Sequence, residues 1–259
     1  MVKDIRKIQP RLGTRKLHYK LEQKGVKIGR DQLGRLLKAN GLILRQRKKH
    51  RPASTDGDGN SIYPDLRKGM EVLDINQLWS SDITYLELEQ AGPFCYCTLV
   101  VDEKSHLIVG YHLARNMTAK ETLKALEMAV ASQVAAEGHF NHRLIFHSDR
   151  GSQFKSGLFW QYQKDKKIRR SMCEQGKSSE NPVAERLNGI LKHELLIEER
   201  FRDFAHAQEA LARAIHIYNE QRPHLSCDYL TPQEAHQPGL GPLKKRWTGR
   251  KARKPVEHA

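Results

Sequence analysis

The chain reads as an α/β protein, a mixed β-sheet flanked by helices in the order βββαβαβαα, preceded by a small all-α module. Three observations predict this. Three β-branched or aromatic apolar runs follow one another with only turn residues between them, so they read as a strand meander. Segments with apolar residues at helical spacing then alternate with two further short apolar runs, which implies helices packed on a sheet. The composition also shifts along the chain: residues 1–52 carry 17 basic and 3 acidic side chains, whereas residues 53–242 carry 21 and 26. At 259 residues and 38% hydrophobic, the chain is long enough for one substantial core plus a smaller module.

The first 52 residues predict two short helices. Thr14 is positioned to cap the first, with Leu17 and Leu21 on one face and Gly25 as its stop; Leu33, Leu36 and Leu37 line the second before Gly41. The pair is helix-turn-helix-like, and its second helix offers Arg30, Arg35 and Lys38 to DNA. Residues 53–73 read as a linker, residues 74–222 as the core, and residues 223–259 as an extension with a basic tail.

In the core, "DITYLELE" (82–89), "FCYCTLVVD" (94–102) and "HLIVGYHLA" (106–114) are the meander strands. Thr118 and Glu121 form a capping-box pattern for a helix with Leu123, Leu126, Val130 and Val134 on one stripe, closed by Gly138. "RLIFHSD" is a fourth strand ending at Asp149, "SGLFWQYQKD" a short helix with Trp160 and Tyr162 toward the core, and "IRRSM" a fifth strand. Asn181 as cap and Pro182 at the first position open the next helix, and a last one runs from about Asp203 to Asn219.

A formal net charge of +15, concentrated in the N-terminal 52 residues and a tail with 7 basic and 1 acidic side chains, points to nucleic acid as the partner. Cys95, Cys97, Cys173 and Cys227 form no CxxC pair and are expected as reduced, mostly buried thiols of a cytosolic protein. No stretch is long and apolar enough to span a membrane or to serve as a signal peptide. His139, His142 and His147 have no cysteine pair at ligand spacing, so structural zinc is not expected.

Three acids stand out: Asp82 at the start of the first strand, Asp149 at the end of the fourth, and Glu185 in the first turn of a helix, with 35 residues between Asp149 and Glu185. Asp102, at the end of "TLVVD", reads as a turn or structural residue. In order and spacing, "WSSDITY", "FHSDRGSQF" and "NPVAERLNGILKHELL" resemble the D,D-35-E catalytic core of retroviral-type integrases and bacterial insertion-sequence transposases, above all the second-frame (OrfB-type) transposases. The likeness runs from "RLGTRKL" at Arg11 to "YNEQRPHLSCDYLTPQEAH" ending at His236; residues 176–181 depart from the pattern common in relatives.

The resemblance implies a ribonuclease H-like fold with the first and fourth strands adjacent. It implies Asp82, Asp149 and Glu185 as catalytic residues and ligands of two Mg²⁺ ions, with Mn²⁺ as a substitute, for cleavage at transposon ends and transfer of the freed 3′-OH. Asn188 and Lys192, on nearly the same helix face as Glu185, and Arg150 beside Asp149 are candidate DNA contacts. It further implies terminal inverted repeats and target DNA as partners, a homo-oligomer on DNA, a first-frame (OrfA-type) partner or fusion, and a bacterial, nucleoid-associated cytoplasmic setting. The alternatives are a non-catalytic DNA-binding relic and a ribonuclease H-type nuclease.

Overall fold

Side-chain alternation sorts the core into two faces of one sheet. A computed structural model, describing residues 1–44, 63–89, 94–138, 140, 143–174, 181–196 and 200–241, has β1 (Leu78–Leu88) at the sheet centre. Antiparallel β2 (Phe94–Asp102) and β3 (Ile108–Ala114) lie on one side, parallel β4 (Ile145–Ser148) and β5 (Arg169–Met172) on the other, in the order β3-β2-β1-β4-β5. The two-residue β6 (Arg200–Phe201), not anticipated, pairs parallel with the far end of β1.

Cys95, Cys97, Leu99 and Val101 of β2 turn to one face and pack with Ala184 and Leu187 of α6 (Pro182–Ile190) and Leu211 and Ile215 of α7 (Phe204–His216). Val100 turns to the other, with Trp79, Leu123 and Leu126 of α4 (Ala119–Glu137) and Phe159 of α5 (Gly157–Asp165). Each large apolar side chain buried this way contributes about 1.5–3 kcal/mol. Among the described residues no helix is long and apolar enough to cross a membrane.

Several local expectations are corrected. β1 begins at Leu78, so Asp82 is its fifth residue and not its first. The expected strand left out Ser80 and Ser81, yet both are fully buried and spend their hydroxyls on Glu103 and on the Leu99 carbonyl. Thr118 accepts from the Glu121 amide, but the Glu121 carboxylate turns to His112 (2.6 Å) and Lys124 (2.8 Å), leaving the reciprocal half of the box unmade. Phe159 and Gln163 take the buried face of α5, so Trp160 faces outward, 37% exposed, with Lys164 4.8 Å from its ring centroid; Tyr162 does pack against the core. Val134 and Leu36 are exposed as well.

The N-terminal helices have a core of their own. α1 (Val2–Ile8), which the sequence pattern did not suggest, joins α2 (Thr14–Gln23) and α3 (Arg30–Ala39) around Ile5, Leu12, Leu17, Leu21, Leu33 and Leu37. α2 starts one residue earlier than a Thr14 cap would give, with extended Gly13 as N-cap. These helices rest on the C-terminal part of the core: Gln9 donates to the Gln221 carbonyl (2.8 Å), the Tyr19 and Tyr229 rings stack at 4.6 Å, and Lys16 lies 3.7 Å from Glu194. Of the expected linker, residues 53–62 lie outside the described residues. Tyr63 and Leu66 lie against the β5 edge, through the Tyr63 ring 4.4 Å from Arg170 and the Leu66 amide on Ser171 Oγ (2.9 Å).

Gly110 is the tightest point between sheet and helix. A Cβ there would lie 2.2 Å from the Ala125 carbonyl oxygen and 2.8 Å from Ala129 Cβ, so α4 rests on bare backbone. Gly110→Ala should force α4 off β3 and cost roughly 2 kcal/mol, seen as a lowered thermal midpoint; an unchanged midpoint would refute this contact.

Candidate active site

The acids are brought together by strand pairing. β1 and β4 run parallel with Ser81 opposite Ser148, so the next residues of the two strands, Asp82 and Asp149, leave the register side by side. Glu185 is the fourth residue of α6, whose start is tied to β1 by Asn181: it holds the expected N-cap position, but its side-chain amide donates to the Ser81 carbonyl (2.8 Å) and makes no cap bond. Seven residues on, Asn188 donates to Asp82 Oδ2 (2.7 Å).

Burial raises the Asp82 pKa to about 7, with the Asp149 and Glu185 charges pushing the same way against hydrogen bonds from the Ile83 amide and Asn188. Asp149 is raised by burial although the Gly151 amide donates to it (3.0 Å), and Glu185 is raised by burial. The cluster thus holds protons more tightly than separate carboxylates do, and its oxygens are the donors that hard divalent cations prefer.

Lys192 follows in a π-helical turn, Leu191–Leu195, with its ammonium 4.1 Å from the Tyr85 ring centroid. Its pKa is lowered by burial, against the pull of Cys97, Asp82 and Glu87. Arg150 donates through Nε to the Cys173 carbonyl (2.8 Å), while its Nη1 is buried with no hydrogen-bond partner among the described residues. Arg30, Arg35 and Lys38 are exposed on α3; no described contact joins them to the acids. Asp102 is a turn brace. It accepts from the Asn76 amide (2.8 Å), the Ser105 amide (2.8 Å) and Ser105 Oγ (2.7 Å), and despite burial its partners, His236 foremost, hold its pKa low. The Asn181 strap was missed, because an asparagine before Pro182 looks like an ordinary cap. Residues 175–180, most of the altered stretch, lie outside the described residues.

A five-strand core in this order, with a carboxylate on the central strand, a second just past the end of the adjacent parallel strand and a third on a following helix, defines a ribonuclease H-like protein of the integrase class. Two models described as "Integrase core domain" match residues 74–178 and 166–232. The chain is 32% identical to the insertion element IS600 uncharacterized 31 kDa protein of Shigella sonnei, over 85% of this chain and 79% of that protein. It is 28% identical to the transposase for insertion sequence element IS629 of Shigella sonnei (87% and 73% covered) and 26% identical to transposase InsF for insertion sequence IS3A of Escherichia coli K12 (89% and 78%). A chain of the simian T-cell lymphotropic virus intasome shares the fold, with a TM-score of 0.53 at 19% identity over 100% of this chain and 80% of that one. The protein belongs to the insertion-sequence transposase family with an integrase core.

A charge-dependent stability follows. The Asp82 pKa of about 7 exceeds the ordinary 3.8. The folded state therefore binds more protons than the unfolded one between these values, and this group's contribution to stability declines as pH rises through that window. Without divalent cations, Asp82→Asn should stabilise the protein by roughly 1–2 kcal/mol at pH 8, after allowance for solvent screening, and by less at pH 5. Thermal melts of both proteins at both pH values check this; equal gains at pH 5 and 8 would count against it.

Proposed function

We propose that this protein is a DNA transposase in which Asp82, Asp149 and Glu185 hold two Mg²⁺ ions, nicking transposon ends to free a 3′-OH and transferring that hydroxyl to a second phosphodiester. The observation that carries the reading is the Ser81–Ser148 register, which sets two carboxylates from adjacent parallel strands together in a chain of this family. The residues fit such ions: burial raises the pKa of all three oxygen-donor groups, and the Asp149 and Glu185 charges push that of Asp82 up further, a repulsion that divalent cations relieve. When bound, the ions supply Lewis-acid stabilisation at the attacking and leaving oxygens, and Mn²⁺ can replace Mg²⁺.

The chain's own residues do the positioning. Asn188 fixes the Asp82 carboxylate, Asn181 fixes the start of the Glu185 helix, and the buried setting strengthens charge interactions at the scissile phosphate. No protein nucleophile is needed, since water and then the DNA 3′-OH attack. Arg150, with an Nη1 unpartnered among the described residues, and Lys192, near Asp82, are suited to phosphates beside the acids. We assign DNA binding to residues 1–52 through Arg30, Arg35 and Lys38, chemistry to residues 74–222, and a further basic contact to the 223–259 extension. Terminal inverted repeats and target DNA are the substrates, a homo-oligomer assembled on DNA with a first-frame partner or fusion the working form, and the bacterial nucleoid the setting.

Asp149→Asn should abolish cleavage and joining of transposon ends with Mg²⁺ or Mn²⁺ in the presence of the first-frame partner, while DNA affinity stays within about twofold. A variant that joins ends at the wild-type rate would overturn the assignment, and activity on RNA–DNA hybrids alone would indicate a nuclease. Replacing Arg30, Arg35 and Lys38 together by alanine should weaken DNA binding and reduce the slope of log affinity against log salt by up to about 3. An unchanged slope would remove α3 from the DNA interface.

A further inference from the structure

A second group of ligating side chains lies apart from the carboxylates, where the β2–β3 turn meets the segment after α7. The His106 and His224 rings stack with centroids 4.3 Å apart and planes at 25°. Cys227 Sγ is 4.0 Å from His224 Nδ1, and one ligand atom from each of the three residues lies within 4.8 Å of the others. Neither imidazole makes a closer polar contact among the described residues. His106 adopts a left-handed backbone, φ 60°, a conformation costing a non-glycine residue about 1–2 kcal/mol, and in it the ring rests against His224.

The chemistry of these groups is that of a soft donor set. Burial lowers the His106 pKa to about 4, and burial with His106, Arg222, Lys16 and Arg186 lowers that of His224 further, so both rings are neutral with free lone pairs at pH 7. Burial and Asp102 push the Cys227 thiol up to about 12, and the thiol donates to the Ser105 carbonyl (3.3 Å). Both rings are only partly buried, which gives an ion a way in, whereas Cys227 is fully enclosed.

We propose that His106, His224 and Cys227 form a Zn²⁺ site, distinct from the carboxylates, that clasps the β2–β3 turn to the C-terminal segment. Zinc takes nitrogen at about 2.0–2.1 Å and thiolate sulfur at about 2.3 Å in a tetrahedron, so the three ligand atoms must close by about 1 Å, with water in the fourth position. As the sulfur–zinc bond forms, the thiol proton passes to solvent; no electron moves, and affinity rises with pH. Asp102 favours a cation here and Arg222 opposes it, so nitrogen and sulfur donors, and not net charge, select the ion. Tyr229, two residues beyond Cys227, stacks on Tyr19, so the clasp also steadies the platform on which the N-terminal helices rest.

The test is a titration of the chelator-stripped full-length protein with Co²⁺, a spectroscopic stand-in for Zn²⁺, in wild type and in an Asp149→Asn background. A thiolate-to-cobalt charge-transfer band saturating at one equivalent, displaced by Zn²⁺ and present in both backgrounds, is expected, since carboxylates give no such band. Cys227→Ser should abolish it. Absence of the band in wild type, or its persistence in Cys227→Ser, for instance from Cys173 beside His147 (3.4 Å), overturns the site. Should Cys227→Ser fail to fold, His106→Asn, which tolerates the left-handed backbone, decides: Zn²⁺ affinity weakened at least about tenfold sustains the site, and unchanged affinity refutes it.

Discussion

The parallel pairing of β1 with β4 is the constraint on which the rest of the structure depends. It is short, four residue pairs ending at Ser81 and Ser148, and it sets two carboxylates against each other at the point where β4 stops. Side chains in a strand alternate, so a slip of one residue would turn Asp82 into the opposite face and bury Ile83's neighbours wrongly. The pairing therefore has to be held by something stronger than the repulsion it creates. The apolar layers on both faces supply that hold, with Trp79 and Phe146 beneath one face and Leu86, Leu99 and Leu187 beneath the other.

The helix bearing Glu185 is fastened at both ends by polar contacts that the sheet alone would not require. At its start Asn181 reaches the β1 backbone, and two turns on Asn188 reaches Asp82. Within the π-helical turn that follows it, Glu194 accepts two hydrogen bonds from the buried Arg222, at 3.0 and 2.8 Å, and faces Lys16 of α2. Arg222 and Lys16 hold the Glu194 pKa low despite burial, while burial and Arg222 bring Lys16 down to about 7. Removing one partner would strand a buried charge, which is costlier than the pair is stabilising. One helix thus links the carboxylates at one end to the N-terminal helices at the other.

What the sequence made legible follows from how local each cause is. Asp149 stood out because an apolar run stops there before Arg150 and Gly151, and Gly151 is the residue whose amide the Asp149 carboxylate accepts. The meander, α4 and α5 were legible because their periodicity is written into consecutive residues. Ser80, Ser81 and Asn181 misled because small polar residues suggest loops and caps, whereas here each satisfies a buried backbone or carboxylate partner from a distant segment. The need for glycine at 110 depends on α4, and the His106–His224–Cys227 group on a contact across more than a hundred residues. Spacing rules for zinc search for neighbours in sequence, so they could not find it.

Charge is distributed in a way that bears on the proposed chemistry. The carboxylate cluster repels a phosphate backbone, and two cations beside its acids in sequence or in charge interaction are partly engaged, Lys192 over the Tyr85 ring and Arg150 on the Cys173 carbonyl. Under the proposed function, attraction for DNA would have to come mainly from elsewhere, and residues 1–52, with 17 basic against 3 acidic side chains, hold the positive charge suited to it. Because those helices rest on the Arg222–Glu194 end of the Glu185 helix, DNA drawn in as proposed by the basic module would approach a core whose third carboxylate is tied, through one continuous helix, to the surface that receives it. Cations at the acids would then act twice, lowering the repulsion between carboxylates and admitting the phosphate they face.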